Sequence, residues 1–176
     1  MKNLCFLLTF LFVSFTAAVQ GKTPLFGYGI SNDFLSIPLA ENSLLSGSTN
    51  VFVACAVNNH LNFRLGYDGW ILKDVTAKKY EQLSGLMLGA GYVLGQDENR
   101  NFTTELTASL SNGFKNFTAF KDYHADLGVR FLMFKAFYLG TGLRWSHNET
   151  PVFPAASTNN YNLYMQMGMQ FYLGKK

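Results

Sequence analysis

Charge is scarce in this chain: Lys, Arg, Asp and Glu make up 14% of the 176 residues and leave a formal excess of only +3. That excess is scattered through stretches that read as loops and ends, with no dense Lys/Arg run. It provides no electrostatic footprint for nucleic acid. Cysteine is almost absent. Cys5 lies in the N-terminal apolar block, and loss of that block leaves Cys55 alone, which excludes an intramolecular disulfide even in an oxidising compartment. Long apolar runs are lacking too. The only one, Leu4 to Val19, falls short of the roughly 20 residues that a membrane-crossing helix needs. A membrane-embedded protein with this sequence must then be a closed barrel, because lipid cannot hydrogen-bond an open sheet edge. No cluster of His, Cys, Asp and Glu has metal-ligand spacing. The glycine pairs Gly27/Gly29 and Gly89/Gly91 lie within strand-like stretches, not before helices, so they are not phosphate loops. No metal and no cofactor is expected.

What is present is aromatic and glycine residues, with 17 Phe, 9 Tyr and 16 Gly at a mean hydropathy of +0.06. That combination suits alternation better than apolar blocks. The N-terminus has Lys2, the apolar run, then Thr16, Ala17 and Ala18, the three-part layout of a secretory signal peptide. Residues 1–18 are expected to be removed, with cleavage after Ala18 or as late as Gly21, leaving 19–176 as one domain.

The clearest strand lies near the C-terminus. Asn160 to Leu173 separates at a period of two into Tyr161, Leu163, Met165, Met167, Met169, Phe171 and Leu173 against a set rich in Asn, Gln, Gly and Tyr. It exceeds the usual strand of about five or six residues and is long enough for the roughly nine to eleven of a tilted bilayer crossing. The same alternation predicts strands over Leu25–Ser31, Val51–Val57, Leu61–Trp70, Gln82–Gly95, Phe102–Asn112, from about Thr118 to Met133, and over Ala136–Ser146. The outward set of the Val51 hairpin is Val51, Val53, Cys55, Val57, Leu61, Phe63, Leu65 and Tyr67. Gly85, Gly89, Gly91 and Gly95 fall on the other face of their strand. They predict room for long side chains arriving from neighbouring strands. Residues Asn32–Asn50 read equally as an apolar loop resting on the membrane or barrel mouth and as a strand with a bend.

The expected fold is all-β, an eight-stranded antiparallel up-and-down transmembrane β-barrel. Turns at Asn58, Gln96–Asn101 and Phe134 fall on one side and are short. Connections at Asn32–Asn50, Ile71–Glu81, Gly113–Asn116 and His147–Asn159 fall on the other, and all but Gly113–Asn116 are long. Short periplasmic turns and long external loops are the pattern of outer-membrane barrels.

Charge placement argues which face meets lipid. A soluble barrel of the lipocalin kind would be greasy inside. Here no charged residue lies in the greasy set of any strand, while Arg64, Asp68, Glu105, Asp122, Asp126, Arg130 and Arg144 all lie in the opposite set. A charge on the lipid face costs about 2 to 4 kcal/mol near the midplane, so the greasy face is the outer one. Tyr67, Tyr123, Trp145 and Tyr161 towards the external ends, and Phe63, Tyr92, Phe102, Phe137 and Phe171 towards the periplasmic ends, would form the two interfacial girdles.

An eight-stranded barrel has an interior just wide enough for side chains, and charges within it must pair. This predicts an interior ion-pair network of Arg64, Asp68, Glu105, His124, Asp126, Arg130 and Arg144, and argues against a general porin. Counting back from the turn at Phe134 and Lys135 places Asp126 opposite Arg144. Counting from a connection centred near Lys115 brings Glu105 close to His124. A lipid-modifying hydrolase or acyltransferase would need Ser, His and a carboxylate at the external rim. Candidates are Ser146, His147 and Glu149, and Asp122 with His124, but adjacent residues on a strand face opposite ways. No catalytic residue is assigned, and His60 reads as a turn residue.

The polar-x-Gly-x-x-apolar-x-apolar pattern at Gln166, Gly168, Phe171 and Leu173 resembles the C-terminal assembly signal of Gram-negative outer-membrane β-barrels, although Gly174, Lys175 and Lys176 follow it. The chain as a whole resembles the small OmpA/OmpX-like group. The resemblance implies recognition of the last strand by the barrel-assembly machinery, a monomer surrounded by outer-membrane lipid, and loops serving adhesion, extracellular contact or envelope integrity. A lipid-modifying enzyme is the second expectation and a small-solute pore the third.

Overall fold

The computed structural model describes residues 25–40, 44–74, 78–97, 101–116, 121–134, 136–149 and 159–173. The expected signal peptide, the residues 174–176 after the assembly signal, and the centre of the His147–Asn159 connection lie outside them. Eight strands run in order: β1 (Leu25–Pro38), β2 (Leu45–Ala56), β3 (Leu61–Asp74), β4 (Lys79–Gln96), β5 (Phe102–Gly113), β6 (Asp122–Met133), β7 (Phe137–Asn148) and β8 (Asn159–Leu173), with one 3-10 turn at Phe114–Asn116. Each pairs antiparallel with its neighbours, and β8 returns to β1, so the sheet closes into a barrel without a free edge. The expected eight-stranded antiparallel barrel is the observed fold.

The pleat sends alternate side chains to opposite walls, and the walls differ in chemistry. Val53, Leu65, Leu127, Leu143 and Met169 stand exposed on the outside. Arg64, Asp68, Glu105, His124, Arg130, Arg144, Asn160, Asn162 and Gln170 are buried inside. The core of this molecule is therefore a polar lumen. Its apolar components are Phe52, Ala54 and Met87, beside Arg64 in the half nearer the termini, and Leu44, Trp70, Leu72 and Leu83 at the end remote from the termini.

Several boundaries differ from the sequence expectation. β1 does not stop at Ser31. It continues to Pro38 along β8 through a bulge between Asp33 and Leu35, so the strand with a bend is what occupies most of Asn32–Asn50. One extra residue inverts the alternation, returning Leu35 and Ile37 to the outside and hiding the strand from a strict period-two reading. β3 and β4 likewise extend through most of Ile71–Glu81, with Lys73 opposite Tyr80 and Asp74 opposite Lys79. Their charges mark the wet end of a hairpin and not a break in it. A second bulge, between Val93 and Gly95, leaves Gly95 exposed instead of inward. Val57, expected outside, is buried because the chain has already turned: its amide donates to the Leu61 carbonyl at 3.0 Å.

The connections at the termini end are short, spanning 57–60, 97–101 and 134–136. Asn58 Oδ1 there accepts the His60 and Leu61 amides, each at 2.8 Å, which fixes the first turn. At the far end the connections span 39–44, 75–78, 114–121 and 149–158. Two connections expected to be long are short, and the one expected to be short is longer.

Candidate functional site

The lumen gathers every residue named from the sequence for the interior network, but in three groups. Near the termini, Glu105 accepts from Arg64 Nη2 at 2.8 Å and from Arg130 Nε and Nη2 at 3.0 and 2.5 Å, with Asn62 Nδ2 as a further donor. One carboxylate thus holds two guanidinium groups. Arg130 also lies 4.2 Å over the Tyr138 ring and donates to Gln170 Oε1 at 3.1 Å. Gly91 makes the arrangement possible: a methyl group there would collide with the Glu105 carboxylate and stand 2.7 Å from Arg64 Nη2.

Higher in the lumen, Arg144 lies opposite Asp126 and donates Nε and Nη2 to its two oxygens at 2.7 and 2.8 Å, a bidentate pair. Arg144 Nη1 reaches Asp33 Oδ2 at 2.5 Å, and Asp33 also accepts the Ser48 amide at 2.8 Å. The guanidinium packs 4.9 Å from the Tyr164 ring. Tyr164 fits because Gly128 and Gly142 face each other on β6 and β7, where added Cβ atoms would come within 2.7 and 2.8 Å of its hydroxyl.

Asp68 and His124 form a third pairing, with Nε2 and Oδ2 2.8 Å apart and Ser48 Oγ donating to Asp68 Oδ1 at 2.5 Å. Trp70 meets the His124 ring edge-on at 5.0 Å. Above it, the backbone of Leu44 is held by Asn160 and Asn162, at 2.8 and 3.2 Å. Leu44, Trp70, Leu72 and Leu83 form an apolar cap at the far end of the lumen.

The expected proximity of Glu105 and His124 is corrected. His124 lies opposite Ser111, and Glu105 opposite Arg130, because β6 begins at Asp122 and not near Thr118. The longer connection shifts the register. Asp33, Asn62, Gln170 and the ring platforms Tyr138 and Tyr164 were not among the residues named for the network. Asp33 was concealed by the bulge after it; the others carried only their inward phase as a signal.

Ser146 faces the lumen while His147 faces outward, so these neighbours do not form a nucleophile–base pair. The Asp68–His124 pair is buried beneath Trp70. Of the assembly-signal residues, Gln166 and Gly168 point inward, with Gly168 against the Tyr138 ring. Phe171 and Leu173 point outward, and Phe171 packs on Tyr28 at 5.6 Å.

The far-end rim carries a different cluster, on the outer face of β6–β8. Tyr123 stacks on His147 at 5.1 Å and receives Trp145 edge-on at 5.4 Å. Trp145 Nε1 donates to Asn159 Oδ1 at 3.3 Å, and His147 Nδ1 lies 3.1 Å from the same oxygen. Beyond the strand end, Lys121 Nζ is 3.0 Å from Glu149 Oε2. The hydrogen bond and charge of Lys121 hold the Glu149 carboxyl below its ordinary range.

These features define a class: a closed eight-stranded antiparallel barrel with an apolar outer wall and buried, ion-paired side chains inside. No family model and no curated protein matches the sequence. Among solved structures, the chain is similar to one from the de novo design of transmembrane beta-barrels, at 11% identity, covering 86% of this chain and 98% of that chain with a TM-score of 0.48.

Proposed function

We propose that the protein is a small barrel of the outer membrane, exported through its N-terminal segment and inserted as a monomer with the aid of its last strand. The termini end is periplasmic and the far end external. Its role is structural or surface-directed, in envelope integrity, adhesion or contact through the far-end connections. One observation carries this reading: among the described residues, the only Lys, Arg, Asp or Glu side chain at an outward strand position is Lys73, at the far end of β3. Elsewhere the outer wall is Val, Leu, Ile, Met, Phe and Tyr with small or uncharged polar residues, the surface that a charge penalty of about 2 to 4 kcal/mol at the bilayer midplane would select. In water that wall would be an apolar patch far larger than monomeric soluble proteins tolerate.

Fractionation and gel mobility test the placement. The mature protein is expected in the outer-membrane fraction, and unheated samples in mild detergent are expected to migrate differently from boiled ones. Recovery in the soluble periplasmic fraction with no heat-dependent shift would overturn the proposal.

The Glu105 and Arg144 networks and the Trp70 cap occupy successive levels of the lumen, which favours a structural barrel over a pore. Purified protein in planar bilayers is expected to show no large, persistent conductance steps. Such steps would make solute passage the better reading.

A further inference from the structure

At the far end the outer wall is not uniform. β1 and β3 mix aliphatic and aromatic side chains there, Phe34, Leu35, Ile37, Tyr67 and Ile71, as an ordinary lipid boundary does. β6–β8 instead present rings backed by polar groups, with Trp145 directly opposite Tyr161 across β7 and β8. A general interfacial girdle asks only for amphipathic rings at headgroup depth. This cluster is more ordered than that. Asn159 ties down both the Trp145 indole and the His147 imidazole, and Tyr123 touches both rings, stacked on His147 and perpendicular to Trp145. Such fixed rings lose little freedom when something packs on them.

The charge pattern narrows what that is. The two basic groups at the cluster, Lys121 at 3.0 Å and His147 at 3.7 Å, both face the single carboxylate of Glu149. Among the described residues, the one lysine at the cluster is already paired, so the cluster offers no unpaired lysine or arginine to a phosphate. An exposed aromatic cluster bordered by an amide, an imidazole and a lysine–carboxylate pair matches a ligand with an apolar face and a rim of hydroxyls. We propose that the Tyr123–Trp145–His147 face is a binding site for the sugar ring of a glycolipid headgroup. The C–H face of the sugar lies on the aromatic rings, and its hydroxyls reach Asn159 and the Lys121–Glu149 pair. The site rests on the membrane placement proposed above, because only a barrel embedded to this depth brings the rim level with headgroups.

The test uses the full mature chain in vesicles of phosphatidylcholine alone, with added phosphatidylglycerol, or with added neutral glucosyl diacylglycerol. Insertion is read separately, from the heat-dependent gel shift. Trp145 is the exposed tryptophan and Trp70 the buried one, so emission reports the site, and a Trp145→Phe control assigns the signal. A saturable emission change with the glucosyl lipid only is expected, with apparent affinity weakened at least about fivefold in Tyr123→Ala and retained in Tyr123→Phe, as stacking on the ring requires. An equal response to phosphatidylglycerol, or no response from an inserted barrel, overturns the site and leaves the membrane reading standing. A chain that does not insert overturns both.

Discussion

Arg144→Met is expected to be among the most destabilising single substitutions in the barrel. It removes the shared partner of Asp126 and Asp33, leaving two carboxylates close together in a lumen that water does not reach freely. Breaking a buried pair by deleting one member typically costs about 3 to 5 kcal/mol. Asp126→Asn is expected to cost less, because Arg144 keeps Asp33. The double variant Asp126→Asn with Arg144→Met still strands Asp33 and recovers only part of the loss. The triple variant that adds Asp33→Asn removes every uncompensated charge and is expected to recover most of it, since replacing a whole buried ionic group is often near neutral. Urea or guanidinium midpoints of the folded protein in micelles measure the series. Equal, additive losses at all three positions would show that the contacts carry no coupling.

Glu105→Gln is expected to match it in the lower network. Two guanidinium groups then lose their common anion and repel each other, again at about 3 to 5 kcal/mol. Adding Arg64→Met to Glu105→Gln removes that repulsion and leaves Arg130 with Gln170 and the Tyr138 face, so the double variant is expected to unfold at higher denaturant than Glu105→Gln alone. A double variant weaker than the single would mean that Arg64 contributes by packing against Phe52, its 5.9 Å neighbour, more than by charge.

These two results depend on structure to different degrees. The opposition of Asp126 and Arg144 was legible because the turn between β6 and β7 is confined to 134–136, so counting outward from it preserves register. The partners of Glu105 were not legible from its hairpin alone. The connection 114–121 is longer than its composition suggested, and a shift there carries every residue of β5 past a different residue of β6. Arg64 reaches Glu105 from β3, across β4, where Gly91 leaves the space. No local pattern encodes that contact.

The sequence by itself determined the number of strands, their order, and for most positions which side chains face lipid-like surroundings and which face the lumen. It can do so because the pleat is a local property: two residues along the chain always restore the same face. Tertiary structure alone decided that Asp33 joins Arg144, that Glu105 serves two arginines and not His124, and that Trp70 roofs the Asp68–His124 pair. Apart from Glu105 with Arg130, which face each other on β5 and β6, those contacts cross the lumen or skip a strand. They depend on bulges, on connection lengths and on the stagger with which β8 meets β1, quantities that belong to the closed barrel as a whole.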